Sequence, residues 1–263
     1  MSGAVVVAAA DGILRVTINR PEKRNALSRA VLDELGQVFA GHAADEALRV
    51  AVLTAAGSHS FAAGGDLRDL AAVRTREGAV AMATQARTAL DAIRRFPVPV
   101  VAALNGVALG GGAELAVACD LRIAAAHAGI GFVQGRLNIA TAWGGGIDLM
   151  RLLGPARGLA VLGRSEVLGA AQAHALGLVD AVAAPDEPFD VFVARFVAPL
   201  ARQAPQVMRA FKAQALGERL GRPRSEREEI ETQLFSVTWV HEDHWAAADR
   251  LLARDTDSEG GPQ

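Results

Sequence analysis

Apolar residues in the first half of the chain come in short runs separated by polar breaks, the pattern of strands alternating with helices. Val5–Ala8 and Ile13–Ile18 flank Asp11-Gly12. Asp-Gly supplies the positive φ of a primed turn, so this stretch predicts a β-hairpin. Asn19-Arg20-Pro21 ends the second strand, and Ser28 is placed to cap a helix running to about Ala40 with Val31, Leu35 and Val38 on one face. RVAVLT (Arg49–Thr54) predicts a buried strand, followed by the loop AAGSHSFAAGGD. Helices are expected from near Asp66 and from Ala79 to Phe96. Pro97-Val98-Pro99 then resets the chain, and Val100–Leu104 and Asp120–Ala124 read as further strands.

Beyond Trp143 the pattern turns almost wholly helical: Gly144–Leu153, Pro155–Gly163, Ala170–Leu176 and Phe189–Leu200. Strand–helix alternation followed by helices indicates an α/β core and a helical C-terminal part. The division is placed at residues 1–198 and 199–263, with Pro199 and Pro205 as breakers. Arg224–Arg254 predicts one long amphipathic helix with Ile230, Leu234, Val237, Val240, Trp245, Ala248 and Leu251 along its apolar stripe. The polar end, Asp255–Gln263, is expected to lack fixed structure.

Composition narrows the classes. At 263 residues and 51% hydrophobic the chain can bury a sizeable core. Its 27 basic and 29 acidic residues leave a net charge of −2, so no electrostatic case exists for a nucleic-acid partner. The single cysteine, Cys119, excludes an internal disulfide and a Cys-cluster zinc site, and its apolar setting predicts a buried structural thiol. The apolar start MSGAVVVAAADG has no basic leader and reads as a strand. No run reaches membrane length without charges, so a cytoplasmic protein that does not enter membranes is expected.

The candidate chemistry lies in two glycine-bearing junctions. In NGVALGGGAELAVACD (Asn105–Asp120), Gly110, Gly111 and Gly112 stand between a strand and a short apolar helix, with one carboxylate, Glu114, a turn beyond Gly111. A helix N-terminus offers unpaired N–H groups to an anion, and glycine lets a ligand approach them. Taken alone, this segment also fits tight packing with Glu114 as a solvated helix residue. A second such junction, FAAGGDLRDL (Phe61–Leu70), follows another strand and has Asp66 placed to cap its helix. Two N–H donors from two junctions are what an oxyanion hole requires.

NRPEKRNALS (Asn19–Ser28), FAAGGDL (Phe61–Leu67), NGVALGGGAELAVACD and WGGG (Trp143–Gly146), in this order, resemble the enoyl-CoA hydratase/isomerase (crotonase) superfamily. The resemblance spans about Ile13 to Leu252 and implies a spiral of ββα turns with a helical region that builds trimers or paired trimers. It implies an acyl-CoA thioester substrate, with CoA part of that substrate and no separate cofactor or metal. The backbone N–H groups of Gly65 and Gly111 would hold the thioester oxygen as an enolate, each worth on the order of 3 kcal/mol. Glu114 matches the family glutamate that handles water. The position of the second family glutamate, the proton donor to Cα, is occupied by Gln134, which cannot deliver a proton.

Enoyl-CoA hydration is the leading reading. The pattern with Trp143 before the glycines and no second glutamate also resembles the ethylmalonyl- and methylmalonyl-CoA decarboxylases of the superfamily, and a non-catalytic CoA-binding homologue is a third possibility. Lys23, Arg24, Ala26, Ala63, Asp66, Leu67 and Arg68 fall in motifs that meet CoA in the family, and Trp143 either shapes an acyl pocket or is a core aromatic. Lys212 is a weaker candidate for CoA bound to a neighbouring subunit. HEDH (His241–His244) lacks zinc-protease spacing and reads as a polar helix face, and neither a Walker loop nor a dinucleotide fingerprint is present.

Overall fold

The computed structural model describes residues 3–259. The hairpin forms as expected: β1 (Val5–Ala10) pairs antiparallel with β2 (Ile13–Ile18), in register from Val5↔Ile18 to Ala10↔Ile13. Asp11 and Gly12 supply the two positive φ angles, 53° and 76°. Alternation along β2 buries Leu14, Val16 and Ile18. The next strand, β3 (Val50–Ala55), lies parallel to β2, so a crossover helix is required between them, and α1 (Arg29–His42) provides it. Ser28 caps α1, its hydroxyl accepting from the Val31 N–H at 3.3 Å.

From β3 onward the chain repeats one move: a strand in the main sheet, a short strand in a second sheet, then a helix. β3 is followed by β4 (Ser60–Ala62), α2 (Leu67–Leu70) and α3 (Arg76–Arg94). β5 (Val100–Leu104) is followed by β6 (Val107–Leu109) and α4 (Gly111–Ala118), and β7 (Leu121–Ala124) by β8 (Gly129–Gly131). A 3₁₀ turn over Gln134–Leu137 leads to α5 (Gly145–Leu153) and α6 (Pro155–Arg164). Then come β9 (Leu168–Gly169), α7 (Ala170–Leu176), β10 (Ala181–Val182), α8 (Phe189–Ala201), α9 (Pro205–Arg219), α10 (Arg224–Trp239) and α11 (Glu242–Glu259). Among the described residues the main sheet runs β1-β2-β3-β5-β7-β10 and the second β4-β6-β8-β9. This is an α/β spiral of ββα turns with a helical C-terminal region. No helix among the described residues is long and apolar enough to cross a membrane.

The core lies between the main sheet and the helices α1, α3 and α4, where Phe39 and Phe96 meet edge to face at 5.1 Å. Cys119 is buried there, and loss of solvent pushes its thiol up to about 12, as a structural thiol should be.

Several boundaries differ from the sequence reading. α3 starts at Arg76 rather than Ala79 because the Thr75 hydroxyl accepts from the Gly78 N–H at 3.0 Å. Pro199 lies inside α8, and the chain breaks only before Pro205, at the first turn of α9. The expected single helix over Arg224–Arg254 is two helices, α10 and α11, divided at Val240-His241. His241 Nδ1 accepts from the Asp243 N–H at 3.2 Å, so HEDH marks a helix break rather than a continuous helix face. Trp239 packs against His244 and Trp245 across that break. The backbone stays helical through Asp255–Glu259, where no fixed structure was expected; Gly260–Gln263 lie outside the described residues.

The parallel pairing of β4 with β6 (Ser60↔Val107, Ala62↔Ala108) brings the ends of both strands to the same level. The start of α4 then sits directly on β4: a Cβ on Gly112 would fall 2.2 Å from the Ala62 carbonyl oxygen. Gly112→Ala is therefore expected to lower stability by about 1–3 kcal/mol, read as a lower urea midpoint. An unchanged midpoint would show that α4 and β4 separate without penalty.

Candidate functional site

The two glycine junctions meet because their strands are neighbours. A Cβ on Gly64 (φ +105°) would lie 3.7 Å from the Gly111 nitrogen, so the first loop passes against the N-terminus of α4. That first loop is laced to the chain after β2. Ala63 N–H donates to Arg24 O (3.1 Å), Leu27 N–H to Gly64 O (2.8 Å) and Asp66 N–H to Leu27 O (3.0 Å). Asn25, in a left-handed conformation (φ 54°), donates from its amide to Ala56 O and Ser60 O. Among the described residues the N–H groups of Gly65 and Gly111 have no partner. Both glycines are partly exposed.

A cleft of about 730 Å³ opens beside Gly65 and is lined by Lys23, Arg24, Ala26, Ala63, Asp66, Leu67 and Arg68. The structure thus gathers in one place the seven residues that motif placement linked to CoA, and Trp143 is not part of this lining. Asp66 caps α2, accepting from the Arg68 N–H at 3.3 Å, and pairs with Arg20 at 3.2 Å. Burial pushes the Asp66 carboxyl up, but the Arg20 hydrogen bond and the Asp69 and Arg68 N–H groups outweigh it and hold it below the usual range. Arg20 and Ser28 also line the cleft. They lie inside the NRPEKRNALS segment, and only the folded loop shows which way they face.

Glu114 lies behind the glycines, 2% exposed, in a helix buried from Gly112 to Ala118. Its carboxylate is held by three donors: Gln134 Nε2 to Oε1 at 3.0 Å, and the Trp143 and Gly145 N–H groups to Oε2 at 2.9 and 3.0 Å. The latter two belong to the N-terminus of α5, which accommodates an anion by its free N–H groups and its dipole. Burial nevertheless dominates and raises the Glu114 carboxyl above its ordinary 4.5, while the N–H donors of Gly145, Trp143 and Gln134 act against that shift. Gly145 is obligatory here, since a Cβ would fall 2.4 Å from Glu114 Cγ.

Gln134, 8% exposed, sits beside Glu114, and its Oε1 is buried without a partner. The Trp143 indole lies over the glycines. A Cβ on Gly111 would meet its Cζ3 at 2.3 Å, and one on Gly65 would come within 3.7 Å of Cη2 and Cζ2. Trp143 is at once a core aromatic and the wall beside both N–H groups.

Three charged residues that could have been assigned to the site are structural. Lys212 is buried and bonded to Asp120 at 2.6 Å, so its ammonium does not reach out to a ligand, correcting the sequence reading. Asp148, the nearest later carboxylate to Gln134, is held by Arg94 (2.8 Å) and Arg219 (3.0 Å). Arg94, which no sequence pattern marked, also donates to Trp143 O at 2.8 Å.

The enoyl-CoA hydratase/isomerase family model matches residues 8–251. Among curated proteins, a crotonyl-CoA hydratase of Syntrophomonas wolfei is 38% identical over 65% of each chain. A mouse (Mus musculus) mitochondrial enoyl-CoA hydratase domain-containing protein 2 is also 38% identical, over 67% of this chain and 59% of that protein. The matches thus span somewhat under two thirds of these relatives. A probable enoyl-CoA hydratase of Bacillus subtilis is 32% identical over 78% of this chain and 79% of its own. Among solved structures, an enoyl-CoA hydratase from Bacillus anthracis superposes with a TM-score of 0.88 at 28% identity, covering 96% of this chain and 97% of that one.

The buried carboxylate makes stability depend on pH with a definite sign. The folded-state value is raised above the unfolded one, so the unfolded chain loses this proton first as pH rises from about 4.5. The contribution of Glu114 to stability is fully present below that pH and is lost as pH rises through the folded-state value. Urea midpoints of wild type and Glu114→Gln, followed across pH, should diverge over that window, the wild type losing ground. Parallel curves would show that the carboxyl titrates alike in both states.

Proposed function

The chain belongs to the enoyl-CoA hydratase/isomerase family, and on that premise we propose that it hydrates a short-chain 2-enoyl-CoA thioester. The observation that carries this reading is the pairing of two unclaimed N–H groups, Gly65 and Gly111, with a buried carboxylate one helical turn away. The CoA moiety would lie in the cleft beside Lys23, Arg24 and Arg68, whose charges suit its phosphates. The thioester oxygen would accept from both glycine N–H groups. The indole of Trp143, pressed on Gly111, would wall the acyl side of the site, and a short chain suits such a wall. The name of the Syntrophomonas relative agrees with this.

In this reading Glu114 takes a proton from water as the water oxygen bonds to Cβ. The double-bond electrons move onto the thioester oxygen, and the enolate is stabilised there by the two N–H groups. Collapse of the enolate takes a proton at Cα. With Gln134 in place of a second acid, Glu114 returns the proton that it received. Gln134 holds Glu114 through Nε2, and its Oε1 is buried without a partner. A carboxyl raised by burial suits both halves of this exchange near neutral pH.

One observation favours a second reading. Gln134 leaves the site without a separate acid, and loss of CO2 from a substituted malonyl-CoA would reach the same enolate without one. The exposed apolar side chains Phe235, Val237, Trp239 and Val240 on and just after α10, with Trp245 and Leu251 on α11, support a homotrimer or a dimer of trimers. Light scattering that returned the mass of one chain would remove this part of the proposal.

Mass spectrometry after incubation with enoyl-CoA and substituted malonyl-CoA thioesters separates the two chemistries. Water is expected to be gained by the enoyl-CoAs, fastest for the shortest. Loss of CO2 without hydration would select the second reading, and binding without turnover would reject both. Glu114→Gln should lower hydration at least about a hundredfold, and Gln134→Glu should raise it. A Glu114→Gln enzyme at near-full rate would remove Glu114 from the reaction.

A further inference from the structure

Glu114 owes two of its three donors to a four-residue backbone segment, Ala142–Gly145, and that segment is gripped from behind by one helix. Arg87 Nη2 donates to Ala142 O at 3.1 Å, and Arg94 Nη2 donates to Trp143 O at 2.8 Å. The two arginines are seven residues apart on α3, about two turns along one helix face. In a trans peptide the carbonyl and the N–H point in opposite directions. The peptide between Ala142 and Trp143 has its oxygen on Arg87 and its N–H on Glu114 Oε2, so the first contact dictates the second. The following carbonyl is fixed by Arg94, and Gly144 (φ +89°) is the point where the segment turns inward to offer the Gly145 N–H. A Cβ at Gly144 would fall 2.8 Å from Arg94 Nη2, so this turn and the guanidinium occupy adjoining space.

We propose that Arg87 and Arg94 are positioning residues that hold the Ala142–Gly145 segment so that the Trp143 and Gly145 N–H groups face Glu114. If either carbonyl is released, the peptide can rotate, and rotation of the first would replace an N–H donor on the carboxylate by a carbonyl oxygen. Arg94 is itself clamped by Asp91 (2.8 Å) and Asp148 (2.8 Å), and Asp148 by Arg219. The pair is thereby anchored to α5 and α9 as well as to its own helix. Groups facing Glu114 directly are neutral: the Trp143 and Gly145 N–H groups, the Gln134 amide and, acting more weakly, the Ala142 N–H. The charged groups packed around them are Arg87, Asp91 and Arg94 on α3, Asp148 on α5 and Arg219 on α9. Arg136, in the 3₁₀ turn, is engaged with Ser165 O.

The inference rests on Glu114 being the base of the proposed hydration, so it is tested both through turnover and without it. The protonated-carboxyl stretch of Glu114, identified by its loss in Glu114→Gln, is titrated by infrared difference spectroscopy in wild type, Arg87→Met, Arg87→Lys and Arg94→Met. The pH profile of kcat is measured on the same proteins, with thermal melting as the check on folding. Loss of one donor to the carboxylate should move the Glu114 midpoint upward by about one pH unit in Arg87→Met, and by less in Arg94→Met, which frees a peptide lying between the two donating N–H groups. The acid limb of kcat should move with it, with kcat near neutral pH falling up to about tenfold and KM staying within about twofold. Arg87→Lys, which keeps a donor at the same end of the side chain, should remain near wild type. The shift should persist in high salt, because a held peptide is not screened as an exposed charge is.

A midpoint that stays put in a folded Arg87→Met protein, or a shift abolished by salt, would overturn the proposal. Arg87 is exposed, so its replacement keeps the test open even where Arg94→Met fails to fold. If Glu114→Gln retains turnover, the hydration mechanism falls, and the infrared midpoints still decide whether the arginines hold the peptides.

Discussion

The arrangement turns on one carboxylate withdrawn from bulk solvent. Glu114 is the only charge in a helix otherwise made of Gly, Ala, Leu and Val, and an isolated buried carboxylate would neutralise itself or unfold its surroundings. The structure supplies donors rather than a cation: the amide of Gln134 and two N–H groups at the N-terminus of α5. Neutral donors hold the group in place yet leave it easy to protonate, since burial still prevails over them. An arginine in the same place would favour the charged form and fix it there. Dipoles in place of a charge suit the proton exchange proposed for Glu114.

Most of the buried ionic chemistry stands one layer further back. Arg94, Asp148 and Arg219 form a chain across α3, α5 and α9, and Lys212, Asp120 and Arg219 continue it. Breaking such a buried pair by removing one partner is strongly destabilising, whereas the intact pair adds little to stability. Its evident service here is orientation. It fixes the first turn of α5, and thereby two donors to Glu114, relative to α3 and to the first C-terminal helix. The site is in this way mechanically continuous with the helical region that follows the spiral.

How much of this was legible before folding depended on range. The hairpin, the Ser28 cap and both glycine junctions are local, and each is spelled by residues within a few positions of one another. The register that set Gln134 against Glu114 came from a family resemblance, and the 3.0 Å contact agrees with it. The strands of the second sheet, two or three residues long, are too short for alternation to show, yet their pairing is what sets the two junctions side by side. The Arg94–Trp143 and Lys212–Asp120 contacts join positions 49 and 92 residues apart, and no local pattern distinguishes those side chains from surface charges. Pro199 misled because proline late in a helix is tolerated when packing on the sheet below holds the helix in place.

Under the proposed function, the Gly65 and Gly111 N–H groups receive the negative charge of a thioester oxygen. This is tested most directly by titrating the protein with acetoacetyl-CoA, whose enolate carries that charge and absorbs light where the keto form does not. The enolate absorption is expected to grow with binding, at a pH where the free thioester remains in the keto form. Binding with no growth of that absorption would contradict it, because the pocket would then hold the thioester without preferring its oxyanion.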